Sequence, residues 1–537
     1  MIDQNILDSL RQYTASMQRS VTLVLQSGEH SKRAELLTFL EQIASVSDHI
    51  SVVQEDATQL RSPISFRLDV EGKDTGIQFS GIPSGHEFNS LVLAILRASG
   101  TPLKLDQSLQ DMISSIEEPM HFEVFVSLSC HNCPEVVQSL NQFALLNDRI
   151  SAEMIDGGLY QDLVAERDIQ GVPSVYLNGE LFANGKVDTA ALIDKLLASK
   201  LAATSQPDSQ TQTKAAPTKQ LPLQDVVVIG GGPAGVGSAI YSARKGLKVT
   251  IIADRFGGQV KDTMGIENLI GVPSTTGTKL TNDMQAHLKD YDVTLKEYLR
   301  VTEIVQGDIK TVTLSSGEVI RAKTLIIATG AKWRELGVPG EKENIGNGVA
   351  YCPHCDGPFF KGKDVAVIGG GNSGIEAALD LAGIVKSVTV FEFMPELKAD
   401  AVLVKQAEQR NNIKILKNVA TKQIVATDGK VSAIEYQDRA TDEVTQLPLH
   451  GVFVQIGLLP NSKFLGDVVE LSQHGEVKIN ERCQTSAKGI YAAGDVTTVP
   501  YKQIVISMGE GAKASLAAFE YLLTLDVKDE EDVKEAA

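Results

Sequence analysis

Four stretches of the chain share one pattern: a short apolar run, a turn of small or polar residues, then a segment whose apolar positions recur every three to four residues. They are VTLVLQSGEHSKRAELLTFLEQIA, HFEVFVSLSCHNCPEVVQSLNQFALLN, QDVVVIGGGPAGVGSAIYSARKGLKVTIIAD and KDVAVIGGGNSGIEAALDLAGIVKSVTVFEF. Each reads as a strand, a loop and an amphipathic helix, and the last two add a second strand. In the second stretch the helix is expected to begin near Pro134, and about forty residues later Gly171-Val172-Pro173-Ser174 leads into strand-like VYLNGELFANG. Strands alternating with helices predict an α/β protein.

Composition divides this pattern. Residues 201–222 (LAATSQPDSQTQTKAAPTKQLP) are rich in Ser, Thr, Gln, Ala and Pro without apolar periodicity, and predict a flexible tether spanning roughly 25 Å as a random coil. The acidic end VKDEEDVKEAA, within 526–537, predicts a solvated tail. A length of 537 residues and 43% hydrophobic content suit three or more domains with cores of their own. The start MIDQNILDSLRQY has no basic stretch followed by an apolar core, and no long uncharged apolar run occurs, which argues against export and membrane spanning. A net charge of −18 argues against a nucleic-acid partner, whose phosphates it would repel.

Four of the five cysteines form two Cys-x-x-Cys pairs, Cys130-His131-Asn132-Cys133 and Cys352-Pro353-His354-Cys355. That spacing closes a small disulfide ring at a helix N-terminus, where the dipole and free N–H groups favour the thiolate that disulfide exchange needs. A zinc site would bring its ligand pairs together across roughly 12–20 residues, far fewer than separate these two, so no metal is expected. Redox pairs in a chain without an export signal suit a reducing cytosol. Cys483 stands alone and reads as an ordinary buried thiol.

The last two strand–loop–helix stretches each carry G-x-G-x-x-G: Gly230, Gly232 and Gly235 in one, Gly369, Gly371 and Gly374 in the other. With a strand before, a helix after and an acid near the end of the second strand, each motif reads as a dinucleotide site. The acids are Asp254 and Glu392, 19 and 18 residues after the third glycine. Position 253, one before Asp254, is Ala, so the ribose contact there is shared between Asp254 and Arg255 as candidates. After the second motif comes Phe391-Glu392-Phe393-Met394-Pro395, without the Arg residues that would clamp a 2′-phosphate, which favours NADH over NADPH.

The strand, Cys130–Cys133 loop, helix and Val172-Pro173 together resemble thioredoxin and glutaredoxin, whose proline is cis and faces the disulfide. Ser62-Pro63-Ile64-Ser65-Phe66 echoes Val172-Pro173-Ser174-Val175-Tyr176 without the cysteines, so residues 1–117 read as a degenerate thioredoxin-like repeat beside an active one at 118–200. Within the degenerate repeat Glu87 is a candidate proton acceptor for the thiols, a solvated surface residue being the alternative. Leu325-Ile326-Ile327-Ala328-Thr329-Gly330 and Gly489-Ile490-Tyr491-Ala492-Ala493-Gly494-Asp495 resemble signatures of two-dinucleotide-binding flavoproteins. The stretch 223–525 resembles low-molecular-weight thioredoxin reductase. With the tandem N-terminus, and with the segments FGGQV, IGGGNSG, QIGLLPN, AAGD and TTVPYKQI, the whole chain is similar to the family of F subunits of bacterial alkyl hydroperoxide reductases.

That resemblance implies tandem thioredoxin-like repeats followed by two Rossmann-like domains, with the FAD domain (223–335 and 457–525) interrupted by an NADH domain (336–456). FAD would be held by Gly230, Gly232, Gly235, Asp254, Gln259, Asn268, Thr329, Gly330, Gly494, Asp495 and Gln503, and NADH by Gly369, Gly371, Gly374 and Glu392. Gly509-Glu510-Gly511-Ala512 is expected to open the last helix, its dipole favouring negative charge on reduced flavin. Electrons would pass from NADH to FAD, to Cys352–Cys355, to Cys130–Cys133 and to the disulfide of a partner peroxiredoxin. In that route Cys355 faces the flavin, Cys352 is the interchange thiol, Asp356 carries the proton, Cys130 attacks the partner and Cys133 resolves. The NADH domain would rotate about crossings near 335 and 457, and a cytoplasmic homodimer is implied. Two other readings stay open: a thioredoxin reductase fused to its own thioredoxin module, and a redox sensor without turnover.

Overall fold

The computed structural model describes residues 2–57, 59–130, 132–169, 171–185, 187–203, 221–263 and 265–525, apart from the side chains of 197–203 and Cys355. The expected tether lies outside that description from 204 to 220, as does the tail 526–537. At its start the tether reading is corrected: the helix Thr189–Ala203 runs on through Leu201, Ala202 and Ala203, all good helix formers. The chain forms two compact units, one drawn mainly from residues before 221 and one mainly from 221 onward.

In the first unit the two repeats share one eight-stranded sheet. The degenerate repeat contributes Val21–Gln26, Ile50–Glu55, Ser65–Val70 and Lys73–Ser80, and the active repeat Met120–Val126, Ile150–Asp156, Ser174–Leu177 and Glu180–Asn184. They join where Ile77–Ser80 runs parallel to Ala152–Ile155, so main-chain hydrogen bonds cross the boundary. Phe66 stacks on Phe79 at 5.3 Å between ring centroids, and Phe122, Phe125 and Phe143 are fully buried. The helix carrying the first Cys pair is Cys133–Leu146, one residue earlier than the Pro134 expectation. The segment VYLNGELFANG is a hairpin of Ser174–Leu177 and Glu180–Asn184.

The second unit holds two parallel-sheet cores. The first contains Gln224–Ile229 at its centre, between Val249–Ala253 and Val319–Ile327, with Ile490–Ala492 returning from far along the chain beside Leu325–Ile327. The second is ordered Val349–Ala350, Gly451–Val454, Asp364–Ile368, Ser387–Glu392, Ile413–Lys417, all parallel. Two strands cross between them, Ala331–Trp333 antiparallel to Leu458–Pro460. The Arg334 N–H donates to the Gly457 carbonyl at 3.0 Å, setting the two crossings side by side.

The last helix is Ile504–Leu522, so Gly509-Glu510-Gly511-Ala512 lies inside it and does not open it. Gly511 serves packing instead. A Cβ on Gly511 would stand 2.1 Å from the Ala234 carbonyl oxygen, and one on Gly237 would stand 3.0 Å from that of Met508. The last helix therefore crosses the helix Pro233–Ala243 at backbone contact, with Ser238 donating to Gly511 O at 3.1 Å and Ser242 meeting Ser515 at 2.8 Å. Among the described residues no helix is long and apolar enough to cross a membrane.

Candidate active site: two disulfides and two dinucleotide cradles

The first redox loop follows the buried strand Met120–Val126. Cys130 and Cys133 are joined in a disulfide with their Cα atoms 5.6 Å apart. Cys133 is fully buried at the start of its helix, while Cys130 is half-buried and accepts the Cys133 N–H at 3.2 Å. The more accessible sulfur is thus the one outside the helix. The Val172–Pro173 bond is cis, the one such bond among the described residues, and Cys130 Sγ lies 3.8 Å from the Val172 carbonyl oxygen. The cis bond is thus present as the resemblance implies, with its preceding carbonyl beside the disulfide, and Ser62–Pro63 of the degenerate repeat lacks the cis bond.

Glu87 is fully buried, not a solvated surface residue. The turn Gly85–Glu87 is seated on the loop leading to Cys130: His86 N–H donates to Leu128 O at 3.0 Å, and the turn touches the helix Cys133–Leu146. Gly85 has φ +57°, and a Cβ there would lie 2.5 Å from Leu128 O, so glycine permits this approach. Neither Glu87 oxygen makes a well-formed hydrogen bond. Burial pushes its pKa up to about 7, opposed by the Ser90 hydroxyl. The folded state therefore holds a proton that the unfolded chain releases near pH 4.5, and stability is lost as pH rises from there through about 7. Glu87→Gln, neutral at every pH, is expected to stabilise the first unit by roughly 3 kcal/mol at pH 8 and by nothing near pH 4.5. Urea unfolding at the two pH values checks this.

Near the second pair, Cys352 is half-buried and disulfide-bonded. Its neighbour Tyr351 is fixed on three sides: its hydroxyl donates to Glu341 at 2.8 Å, its carbonyl accepts from Gln455 Nε2 at 2.7 Å, and its ring stacks on Trp333 at 6.3 Å. Burial pushes the Asp356 carboxyl up to about 6, partly offset by the Cys352 backbone N–H. His354 Nδ1, within the same loop, sits 2.9 Å from Asp380 in an exposed pair. Phe359 reaches Gly265, so the end of this segment lies against the first dinucleotide core. Cys483 is fully buried, its thiol pushed up to about 12 by burial, and it is the free cysteine among the described residues.

The two glycine motifs fold alike. Gly230 and Gly369 have φ near +120°, where a Cβ would strike Ala328 O and Gln455 O at 2.2 and 2.4 Å. On Gly235 and Gly374 it would strike the first glycine's carbonyl oxygen at 1.8 and 1.9 Å. On Gly232 and Gly371, each the N-cap of a helix that no side chain caps, it would meet open space. That uncapped turn, open on the side where a side chain would project, fits a pyrophosphate. Glu392 completes the second cradle: Gly370 N–H donates to Oε2 at 2.5 Å and Met394 N–H to Oε1 at 2.7 Å.

In the first cradle the corresponding position is Ala253, which faces Gly231. Asp254 is exposed one residue beyond, and Arg255 forks onto Asp262 at 2.7 and 2.8 Å. Half-buried Asp495, its pKa raised by burial, accepts from Ser507 at 3.1 Å, and a Cβ on neighbouring Gly494 would touch Ala234 in the first turn of the glycine helix. Gln259 donates to the Ala331 carbonyl, and Asn268 donates to Gln503 at 3.2 Å. Thr329 and Asn461 exchange two 2.8 Å hydrogen bonds, and Asn461 N–H donates to Gly330 O. Asn461 and Ser507 were not foreseen, although Asn461 closes the QIGLLPN segment.

Two dinucleotide cradles, a disulfide-bonded cysteine beside the second, and a thioredoxin-type disulfide in the same chain define a nicotinamide-dependent disulfide oxidoreductase. Residues 224–511 match the pyridine nucleotide-disulphide oxidoreductase family and residues 120–198 a thioredoxin domain. The chain is 47% identical to the F subunit of alkyl hydroperoxide reductase from Pseudomonas aeruginosa and 44% to that from Escherichia coli, in each case over 97% of this chain and 99% of the relative. A Bacillus subtilis relative called NADH dehydrogenase is 47% identical over 97% of this chain and 99% of its own. The solved thioredoxin reductase of Streptococcus pyogenes aligns with a TM-score of 0.55 at 36% identity, covering 57% of this chain and 99% of that one. The chain belongs to the family of these alkyl hydroperoxide reductase F subunits, flavoprotein disulfide reductases that use FAD and a nicotinamide nucleotide.

Proposed function

We propose that the chain transfers electrons from NADH to the disulfide of a partner peroxiredoxin and is not itself the peroxidase. The observation that carries this reading is the Cys130–Cys133 disulfide, its more exposed sulfur beside cis Val172–Pro173, in the same chain as a second disulfide. FAD, when bound, supplies the conversion of a hydride from NADH into an electron pair for a disulfide. Cys352 is then the interchange thiol: its thiolate attacks the Cys130–Cys133 bond, and Cys355 displaces the product, closing Cys352–Cys355 again. Two electrons have moved, and two thiols stand at Cys130 and Cys133. Cys130 attacks the partner disulfide, Cys133 resolves the mixed disulfide, and Glu87 takes up the proton that the attacking thiol must lose.

Asp356 supplies the proton as the Cys352–Cys355 pair is reduced. Because its acid form declines above about pH 6, the rate of this step is expected to fall as pH rises beyond that value. Asp356→Asn should abolish that limb and slow the step by about 10²-fold, read by stopped-flow at several pH values. The paired crossings Ala331–Trp333 and Leu458–Pro460 are where the second dinucleotide core would rotate, exposing Cys352 in one position and presenting NADH in the other. Glu392 in the ribose position favours NADH over NADPH. A homodimer in the cytosol completes the reading.

The deciding experiment measures NADH consumption by the FAD-loaded chain with hydroperoxide and an oxidised two-cysteine peroxiredoxin, with thioredoxin, or with neither. Consumption that requires the peroxiredoxin supports the proposal. Faster turnover with thioredoxin makes the chain a general disulfide reductase, and equal consumption without an acceptor makes it an oxidase.

A further inference from the structure

We propose that Phe393 and Arg439 form the platform for the adenine of NADH, an inference that rests on assigning the second glycine motif to that nucleotide. Glu392 fixes where the ribose lies, since its carboxylate is tied to the glycine turn through Gly370 N–H. The adenine leaves the same ribose, so it must lie beside Glu392, and the next residue is Phe393. Along this strand end Phe391 points inward, 1% exposed and edge-on to Tyr436 at 5.1 Å, whereas Phe393 points outward and is 54% exposed. The core does not account for this second ring.

Arg439, 46 residues further on, closes over it. Its guanidinium stands 3.8 Å from the Phe393 ring centroid, and Nη1 donates to Phe393 O at 2.8 Å and to Asn418 Oδ1 at 3.2 Å. The distance to Asn418 is set by two main-chain bonds of 3.0 Å, Arg439 N–H to Asn418 O and Asn418 N–H to Met394 O. Asn418 has φ +58°, a left-handed conformation that asparagine accepts more readily than most residues. The ring and the guanidinium are thus held in one stack before any ligand arrives, and flat stacks of this kind receive a purine face. Arg439 is also committed to Phe393 and Asn418, so it is not the free clamp that a 2′-phosphate would need.

The test uses the FAD-loaded full chain and two truncated nucleotides: ADP-ribose, which keeps the adenine, and reduced nicotinamide mononucleotide, which lacks it. Calorimetric binding of ADP-ribose is expected to weaken about tenfold or more in Phe393→Ala and about threefold in Arg439→Met, with Phe393→Tyr restoring it. The ratio of kcat/KM for NADH to that for the mononucleotide should fall by the same factor. Unchanged ADP-ribose affinity in Phe393→Ala overturns the proposal, and so does an equal loss with both reductants, which would mean general distortion. Glu392→Ala separates the two levels: if it binds ADP-ribose as well as the wild type does, or if the wild type binds none, the assignment of the nucleotide site itself falls.

Discussion

Cys130→Ser is expected to leave NADH oxidation by an artificial acceptor such as ferricyanide intact while reducing peroxiredoxin-coupled turnover by about 10³-fold or more. The two activities separate because an artificial acceptor draws electrons before they reach the first unit, whereas the peroxiredoxin depends on a nucleophile there. Cys130 is that nucleophile by position: it is half-buried beside cis Val172–Pro173, while Cys133 is sealed within the helix start. A serine hydroxyl at neutral pH is not ionised and cannot form the mixed disulfide. Cys133→Ser should give the same loss in turnover but trap the mixed disulfide with the partner, visible on a non-reducing gel. Parallel loss of both activities in Cys130→Ser would contradict a linear relay.

Arg61→Met is expected to destabilise the first unit by about 3–5 kcal/mol at pH 7, the range for breaking a buried ion pair by removing one partner. Glu123 and Glu153 are neighbours in register on the adjacent parallel strands Met120–Val126 and Ile150–Asp156, and both are nearly inaccessible. Arg61, from the degenerate repeat, donates Nε to Glu153 at 2.8 Å and Nη2 to Glu153 and Glu123, while Arg167 donates to the other Glu123 oxygen at 2.6 Å. Burial pushes the Glu123 carboxyl up, but Arg167 and Arg61 outweigh it and hold it below the ordinary range. A depressed carboxyl contributes stability above its unfolded pKa and loses it as pH falls through the folded one, so the cost of Arg61→Met should shrink as pH falls below the ordinary carboxyl value of 4.5. Adding Glu153→Gln should recover part of the loss. Hydrogen exchange of strands Met120–Val126 and Ile150–Asp156 in the full chain localises the effect, and unchanged protection there would refute it. His121 lies 3.8 Å from Glu153, yet the two arginines already neutralise this cluster, so it reads as an ion-pair network and not a metal site.

The chemistry of the site was legible because its motifs are local. A glycine turn needs its strand, its three glycines and its helix within some thirty residues. A Cys-x-x-Cys at a helix start needs fewer still. A local signal can also have a remote cause. Gly509-Glu510-Gly511-Ala512 reads locally as a helix start, yet the missing side chain of Gly511 answers to the Ala234 backbone, more than 270 residues earlier. Asp254 keeps the spacing of a ribose acid and stands exposed, while Ala253 occupies the place against the glycine turn.

The sequence alone determined the two strand–turn–helix nucleotide units, the two dithiols and the relation of the N-terminal repeats, since each depends on contacts between residues close in the chain. Only the tertiary structure decided that the repeats share one sheet, that Arg61 crosses 62 and 92 residues to neutralise two buried carboxylates, that Glu87 is desolvated beside the redox loop, and that Arg439 lies on Phe393. Burial and long-range pairing set those features, and neither leaves a periodicity along the chain: a glutamate reads the same in sequence whether water or a hydrophobic wall surrounds it.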